Sequence, residues 1–302
     1  MMALLLIVAM AGDAAAQGGA GSQGAKLCGD PNPEISIAGC NAVIQGGREK
    51  GKPLAAALVS RGIAYVALQD FDRAIQDFSQ AIKIDPNGAK AFANRGAAYG
   101  ARQDWDSAIR DFDRLIALEP TAFAFADRAS MYVLAGQPAR AIQDFSDAIK
   151  LDPAFVDAVL NRALTYSAMT QCTEAIPDFT RVIELNPKEP RAYLERGTCY
   201  EASKRDDLAL QDFSKHLSLT PDSFAGWERR AVVLARGGDY DGALESYQHA
   251  VAIIPNSPRA LYGRGVVKRL KGDTRGGDAD IDAAKSLRPT IADEMAARGL
   301  KP

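Results

Sequence analysis

Histidine, tryptophan and cysteine are scarce in this chain of 302 residues, which holds 2, 2 and 4 of them. Two histidines leave little room for a histidine-rich metal site. Four cysteines are too few for a disulfide-dense scaffold, and no two of them have the C-x-x-C spacing of a zinc or thiol-redox motif. An excess of charge of one sign is missing as well. There are 36 Lys and Arg against 38 Asp and Glu, a formal net charge of −2, so long-range attraction favours neither nucleic acid nor an anionic membrane as a partner. A phosphate-binding glycine loop followed by Lys and Ser/Thr is absent, and so is a G-x-S-x-G nucleophile turn. Asp278, Asp280 and Asp282 alternate like the start of a calcium loop, yet Ala283 stands where the turn glycine is needed and Pro289 where the closing glutamate belongs. Catalysis, a cofactor and a metal centre are therefore not expected.

One apolar run stands out, over residues 1–11, followed by Ala14, Ala15 and Ala16 ahead of Gln17. These small residues suit a signal peptidase, and the run is too short to span a membrane. We expect a signal peptide over 1–16, cut after about Ala16 although no Lys or Arg precedes the run, and a flexible linker over 17–27. Cys28 follows Leu27 rather than a small residue, so no lipid anchor is expected. The mature chain is then periplasmic or secreted, without stable membrane insertion, in a compartment where disulfides persist.

The rest of the chain repeats. Pro86, Pro120, Pro153, Pro187, Pro221, Pro255 and Pro289 recur at intervals of 34, 33, 34, 34, 34 and 34 residues. An aromatic column (Phe78, Phe112, Phe145, Phe179, Phe213, Tyr247) and an alanine column (Ala74, Ala108, Ala141, Ala175, Ala209, Ala243) keep the same phase. Such a period marks stacked supersecondary units that bury their apolar faces only against neighbours. In the first unit Leu58, Gly62 and Tyr65 lie on one helical face, and Ala74, Phe78 and Ala81 lie on a second. Proline then ends the second helix.

This pattern, with Gly or Ala at the helix crossing, Tyr three residues on, then Ala, Phe and Pro, resembles the tetratricopeptide repeat. The resemblance covers residues 55–291 in seven units: 55–88, 89–121, 122–155, 156–189, 190–223, 224–257 and 258–291. It implies an all-α, right-handed solenoid of helix-turn-helix units. The third unit is one residue short, between Pro120 and Arg128. The seventh departs most, with Lys268, Gly277 and Ile281 in place of the Tyr, Ala and Phe. Residues 28–54 keep the register one period earlier, with Cys40 at the Ala place and Ile44 at the Phe place, and read as a half-repeat capping the N-terminal end. A short helix from Pro289 to Leu300, with Ile291 and Met295 on one face, caps the other end, and the region 292–302 closes the chain.

Two cysteine pairs are expected to be disulfides. Cys28 and Cys40 would enclose a short loop containing Pro31 and Pro33 and tie the segment after the leader to the capping helix, since in an exported chain the end of a solenoid benefits most from a staple. Cys172, at the start of the second helix of unit four, lies level with Cys199 in the first helix of unit five. This second pair is read as a disulfide if its Cα atoms fall within roughly 4.4–6.8 Å; the other reading is two small buried thiols.

An arginine recurs in every unit (Arg61, Arg95, Arg128, Arg162, Arg196, Arg230, Arg264), and an Asp precedes the aromatic position in all but the sixth (Asp77, Asp111, Asp144, Asp178, Asp212, Asp280). Either the guanidinium groups bind an acidic peptide, or they form a ladder with the carboxylates. Asp77 and Arg95 are each nine residues from Pro86, which favours a ladder from each unit to the next, worth ~0–1 kcal/mol per exposed pair. In that register Arg230 pairs with Asp212, while Ser246 leaves Arg264 free for a ligand.

The family resemblance further implies a concave face, lined by first helices, that binds extended peptides or partner helices. The position before each arginine reads Ser60, Asn94, Asp127, Asn161, Glu195, Arg229 and Gly263, so only Asn94 and Asn161 match the Asn with which some members hold a ligand backbone. The carboxylate clamp of chaperone-docking members is not formed. Inward positions in the N-terminal half (Val59, Ile63, Ala93, Ala97, Ala126, Ser130) are small or apolar. Glu195, Glu201, Glu228, Arg229, Arg236, Arg259 and Arg269 make the C-terminal half charged, which suits an amphipathic ligand. His216 reads as structural and His249 as a surface residue. The candidate partner-binding residues are Asn94, Asp127, Asn161, Glu195, Arg229 and Arg264. The expected function is a protein–protein interaction scaffold for a protein or peptide. A structural component of the cell envelope working through convex or end surfaces, and a non-catalytic subunit of an enzyme complex, remain open beside it.

Overall fold

A computed structural model describes residues 23–301; the expected signal peptide and residues 17–22 of the expected linker lie outside the described residues. The described residues form 17 α-helices and no strand. They divide into two compact units, which part between Phe155 and Val156. The first holds α1 (Gln23–Leu27), α2 (Pro33–Gln45) and three helix pairs: α3 (Lys52–Ala67) with α4 (Phe71–Ile84), α5 (Ala89–Ala101) with α6 (Trp105–Leu118), and α7 (Ala122–Leu134) with α8 (Pro138–Leu151). The second holds four pairs: α9 (Val156–Ala168) with α10 (Cys172–Leu185), α11 (Pro190–Ala202) with α12 (Asp206–Leu219), α13 (Phe224–Arg236) with α14 (Tyr240–Ile253), and α15 (Pro258–Leu270) with α16 (Thr274–Leu287). It ends in α17 (Ile291–Ala297).

Local chemistry sets the helix ends. The residue ahead of each repeated proline (Asp85, Glu119, Asp152, Asn186, Thr220, Ile254, Arg288) leaves the helix for φ between −127° and −147°, because the proline ring excludes the helical conformation there. Within each pair the reversal needs one left-handed residue. Gln69, Gln103, Gly136, Thr170, Lys204, Gly238 and Gly272 supply it, with φ from +56° to +92°. Asp70, Asp104, Asp239 and Asp273 then cap the second helix, each accepting from the N–H three residues on. The shortened third repeat loses its residue from the connection between α6 and α7, which spans 119–121 where the preceding one spans 85–88.

Two departures from the sequence reading lie at the ends of the chain. The last five residues of the expected flexible linker form α1, which crosses α2 at Gly39, where a Cβ would come within 2.5 Å of the Leu27 backbone. The Cys28–Cys40 disulfide, with Cα atoms 4.4 Å apart, closes this crossing. At the other end the capping helix stops at Ala297 rather than Leu300. Gly299 turns left-handed at φ +86°, and the Leu300 N–H reaches back to the Met295 carbonyl.

Inside the first, second and fifth pairs a ring presses on a glycine. A Cβ at Gly62 would lie 2.5 Å from Phe78 Cε1, and one at Gly197 2.8 Å from Phe213 Cε1. Phe78, Phe145, Phe179, Phe213 and Tyr247 are fully buried. In the first and fifth pairs this contact sets the residues before each partner, an arginine and an aspartate, side by side. The ladder therefore runs within each unit, which corrects the unit-to-unit register expected from the distance to proline. Arg61, Arg95, Arg128, Arg162, Arg196 and Arg264 hold Asp77, Asp111, Asp144, Asp178, Asp212 and Asp280 through Nε and Nη2, at 2.7–2.8 Å.

The corrected register inverts two further expectations. Arg264 is not free, since Asp280 takes it together with Lys268. Arg230, facing Ser246, lacks the carboxylate and bonds the serine hydroxyl at 2.8 Å. The remaining guanidinium nitrogen reaches the preceding second helix: Nη1 of Arg61 donates to Asn41, of Arg95 to Ser79, of Arg128 to Asp113 and of Arg196 to Thr180. Each of these arginines thus ties three helices. The aspartates are only 4–8% exposed, while the arginine side chains keep 16–20%, so the pairs are bidentate and buried on the carboxylate side.

Two outcomes follow. Asp212→Asn leaves Arg196 without its buried partner and should destabilise the protein by about 3–5 kcal/mol, whereas Ser246→Ala should cost about 1 kcal/mol; urea unfolding followed by circular dichroism measures both. Thr170→Gly relieves a β-branched residue held at φ +59° and should stabilise by up to about 1 kcal/mol in the same assay.

Candidate partner-binding surface

In the first unit the position before the ladder arginine lies on α3, α5 and α7, as Ser60, Asn94 and Asp127. Asn94 donates its Nδ2 to the Lys90 carbonyl on its own helix, at 2.8 Å, leaving its amide oxygen available. Asp127 is half-buried and has neither ion pair nor hydrogen bond among the described residues. Burial alone pushes its carboxyl up to about 6, because little water remains to solvate the charged form. One turn earlier Phe123 is 51% exposed, its ring 4.7 Å from that of Phe155. Desolvated carboxylate and open aromatic ring are thus neighbours on the face of α7.

The second unit places the other candidates differently. Asn161 on α9 and Glu195 on α11 are half-buried, and their side chains make no hydrogen bond among the described residues. Arg229 is not free, being paired with Glu201 at 3.0 Å, and Arg264 belongs to the ladder. Apart from Glu195, the charged face expected to meet an amphipathic ligand is already engaged. Glu228, 4% exposed, accepts from Arg298, and Arg236 holds Asp206 through two hydrogen bonds. The involvement of Arg298 was missed at the sequence level. The available signal was Glu228 itself, an acid in a column that otherwise reads Val59, Ala93, Ala126, Leu160, Leu194 and Tyr262.

Gly263 breaks the polar column for a steric reason, since a Cβ there would lie 2.2 Å from Tyr247 Cζ. His216 is buried between the Pro190 carbonyl, 2.9 Å from Nδ1, and the Ser223 hydroxyl, 2.7 Å from Nε2. With the proton on Nδ1 both bonds are satisfied, and the same hydroxyl caps α13. His249 is exposed and stacks on Trp227 at 4.2 Å. Cys172 and Cys199 are joined, with Cα atoms 5.1 Å apart. No group of metal-ligating side chains, and no helix long and apolar enough to cross a membrane, occurs among the described residues.

Tandem helix pairs with a ring-on-glycine crossing and an arginine–aspartate ladder define a helical repeat scaffold. A family model described as TPR repeat matches residues 62–101 and 233–272, and one described as tetratricopeptide repeat matches 93–154 and 160–224. Together they span more than half of the chain, which belongs to the tetratricopeptide-repeat family. No curated protein matches it. Among solved structures it is similar to the C-terminal part of a TPR repeat-containing protein from Cytophaga hutchinsonii (TM-score 0.65, 19% identity, 78% of this chain and 97% of that one). It is also similar to a tetratricopeptide repeat protein from Parabacteroides merdae ATCC 43184 (0.58, 19%, 81% and 98%) and to MamA (0.51, 27%, 52% and 93%). The fold is an all-α repeat solenoid, and its repeats support a protein–protein interaction scaffold in general terms.

Asp127 sets a pH dependence. Its folded pKa of about 6 lies above the ordinary 3.8, so the unfolded chain ionises first as pH rises and stability falls between about pH 4 and 6. Asp127→Asn should therefore be more stable than the parent at pH 7.5 and indistinguishable from it at about pH 3.5, as read from melting temperatures across that range.

Proposed function

We propose that the protein is an exported scaffold that binds a peptide segment of another protein on the α5–α7 face of its first unit. Asp127 would anchor a cationic side chain there and Phe123 an apolar one, while the Asn94 amide oxygen accepts from the peptide backbone. The observation that carries this reading is the unpaired Asp127. In this unit Asp77, Asp111 and Asp144 all have a guanidinium partner, whereas Asp127 is desolvated without one. A half-buried carboxylate is uncomfortable until a cation arrives, so a partner's Lys or Arg gains there what an exposed pair does not.

Export is part of the proposal. The apolar leader over 1–16 and two closed disulfides both suit an oxidising compartment. So is the division into a cap over 28–54 and seven units over 55–291. The family consists in general of non-catalytic adaptors, which fits a function of binding rather than turnover.

A photo-crosslinking residue at position 123 of the full chain, expressed in its native compartment, tests the site. One partner should be captured there, at least tenfold less when Asp127→Arg is added, and its affinity should rise from pH 5 to pH 7 as Asp127 ionises. Equal capture from position 151 on α8, unaffected by Asp127→Arg, would overturn the reading.

A further inference from the structure

In the second unit the chain lies on its own first helices. Ile291 and Met295 are fully buried and Leu300 nearly so, in one cluster with Ala231, Val232, Leu234 and Ala235 of α13 and Leu261 and Tyr262 of α15. Arg298 donates to the Glu228 carboxylate of α13, and its Nη2 lies 4.0 Å from Glu201 of α11. Glu294 pairs with Arg288 at 2.8 Å and approaches Arg259 of α15 at 3.8 Å. Gly299 takes φ +86° against the side chain of Arg236, where a Cβ would lie 3.3 Å from Cδ. The segment 291–301 therefore runs back from α15 across α13 towards α11, over the face on which first helices present their inward side chains.

We propose that this face is a second docking surface, for a short amphipathic helix that carries an arginine just past its C-terminal end, and that residues 290–301 are its built-in occupant, displaced by such a partner. Three observations support it. The helix α17 has 7 residues, too few to hold its shape without the surface beneath it. Its apolar anchors are three side chains, Ile291, Met295 and Leu300, a set that another amphipathic helix can supply. The acceptor is specific: Glu228 is buried, and a buried carboxylate stripped of its cation is strongly disfavoured. Whatever displaces the segment must bring a guanidinium of its own, and Glu201, already holding Arg229, flanks the place where it arrives. The Tyr247 hydroxyl, buried without a hydrogen-bond partner among the described residues, belongs to the same surroundings, where its ionisation is opposed first by burial and then by the charge of Glu228.

The proposal stands apart from the Asp127 site, because its probe reads only the second unit. A fluorescent peptide with the sequence of residues 288–302 is titrated into the full chain, into Arg298→Ala and into Arg298→Ala with Glu228→Gln. The intact chain should bind it weakly, and Arg298→Ala at least tenfold more tightly. The added Glu228→Gln, or Ala at the position of Arg298 in the peptide, should take that gain away. Hydrogen exchange on Arg298→Ala should quicken over 291–301 while α13 and α15 stay as protected as in the parent. Quickening of all three together would overturn the proposal, since the segment would then be a fixed part of the fold. So would a released segment with no gain in peptide affinity.

Discussion

An aromatic ring laid on a residue with little or no side chain is the contact on which this architecture depends. It sets how closely the two helices of a pair approach, as at Gly62 under Phe78 and Gly197 under Phe213. Where a Tyr replaces the Phe, at position 247, the extra hydroxyl reaches Gly263 of the next first helix. The chain has given up the polar residue that the other units carry there. Close approach is favourable because dispersion falls steeply with distance, and the rings bury large apolar areas at the same time.

The ion pairs are a consequence of that crossing. Once ring and glycine meet, the arginine and aspartate one residue before them are held at hydrogen-bonding distance, shielded by the same packing. Burial makes such a pair hard to remove from one side only. The third nitrogen of the guanidinium turns a pairwise contact into a connection between successive helix pairs within a unit. This is how a solenoid without a single central core gains order along its length by nearest-neighbour contacts. Of the seven left-handed turn residues in register, four are not glycine, so the fold carries local strain at those four reversals and offsets it by packing.

The two units use their first-helix faces differently. In the first, Asp127 has neither ion pair nor hydrogen bond among the described residues, and Phe123 stays half-exposed beside the Phe155 ring. In the second, Glu201, Glu228 and Arg259 meet residues from the chain's own C-terminal segment. Free chemistry in one unit and occupied chemistry in the other are both statements about charge. A carboxylate out of water either waits for a cation or already has one.

Period and punctuation were legible in the residues themselves. The spacing of Pro, Phe and Ala gives helix pairs because each unit repeats the same local rules, and a pre-proline residue or an Asp cap acts within a few residues of itself. The Cys172–Cys199 pair was legible for a related reason, since register fixes which residues are level, whereas Cys28–Cys40 was legible from the short loop between them. Pairing of the charged columns was not: equal periodicity is compatible with a partner in the same unit or in the next. Only the tertiary contact of Gly62 with Phe78 decided for the same unit, leaving Arg230, not Arg264, without a carboxylate. The destination of residues 291–301 was beyond the sequence for another reason. Once the repeat ends there is no period to extrapolate, and the segment's position follows from a buried glutamate 70 residues earlier, a partner that only the folded chain brings near.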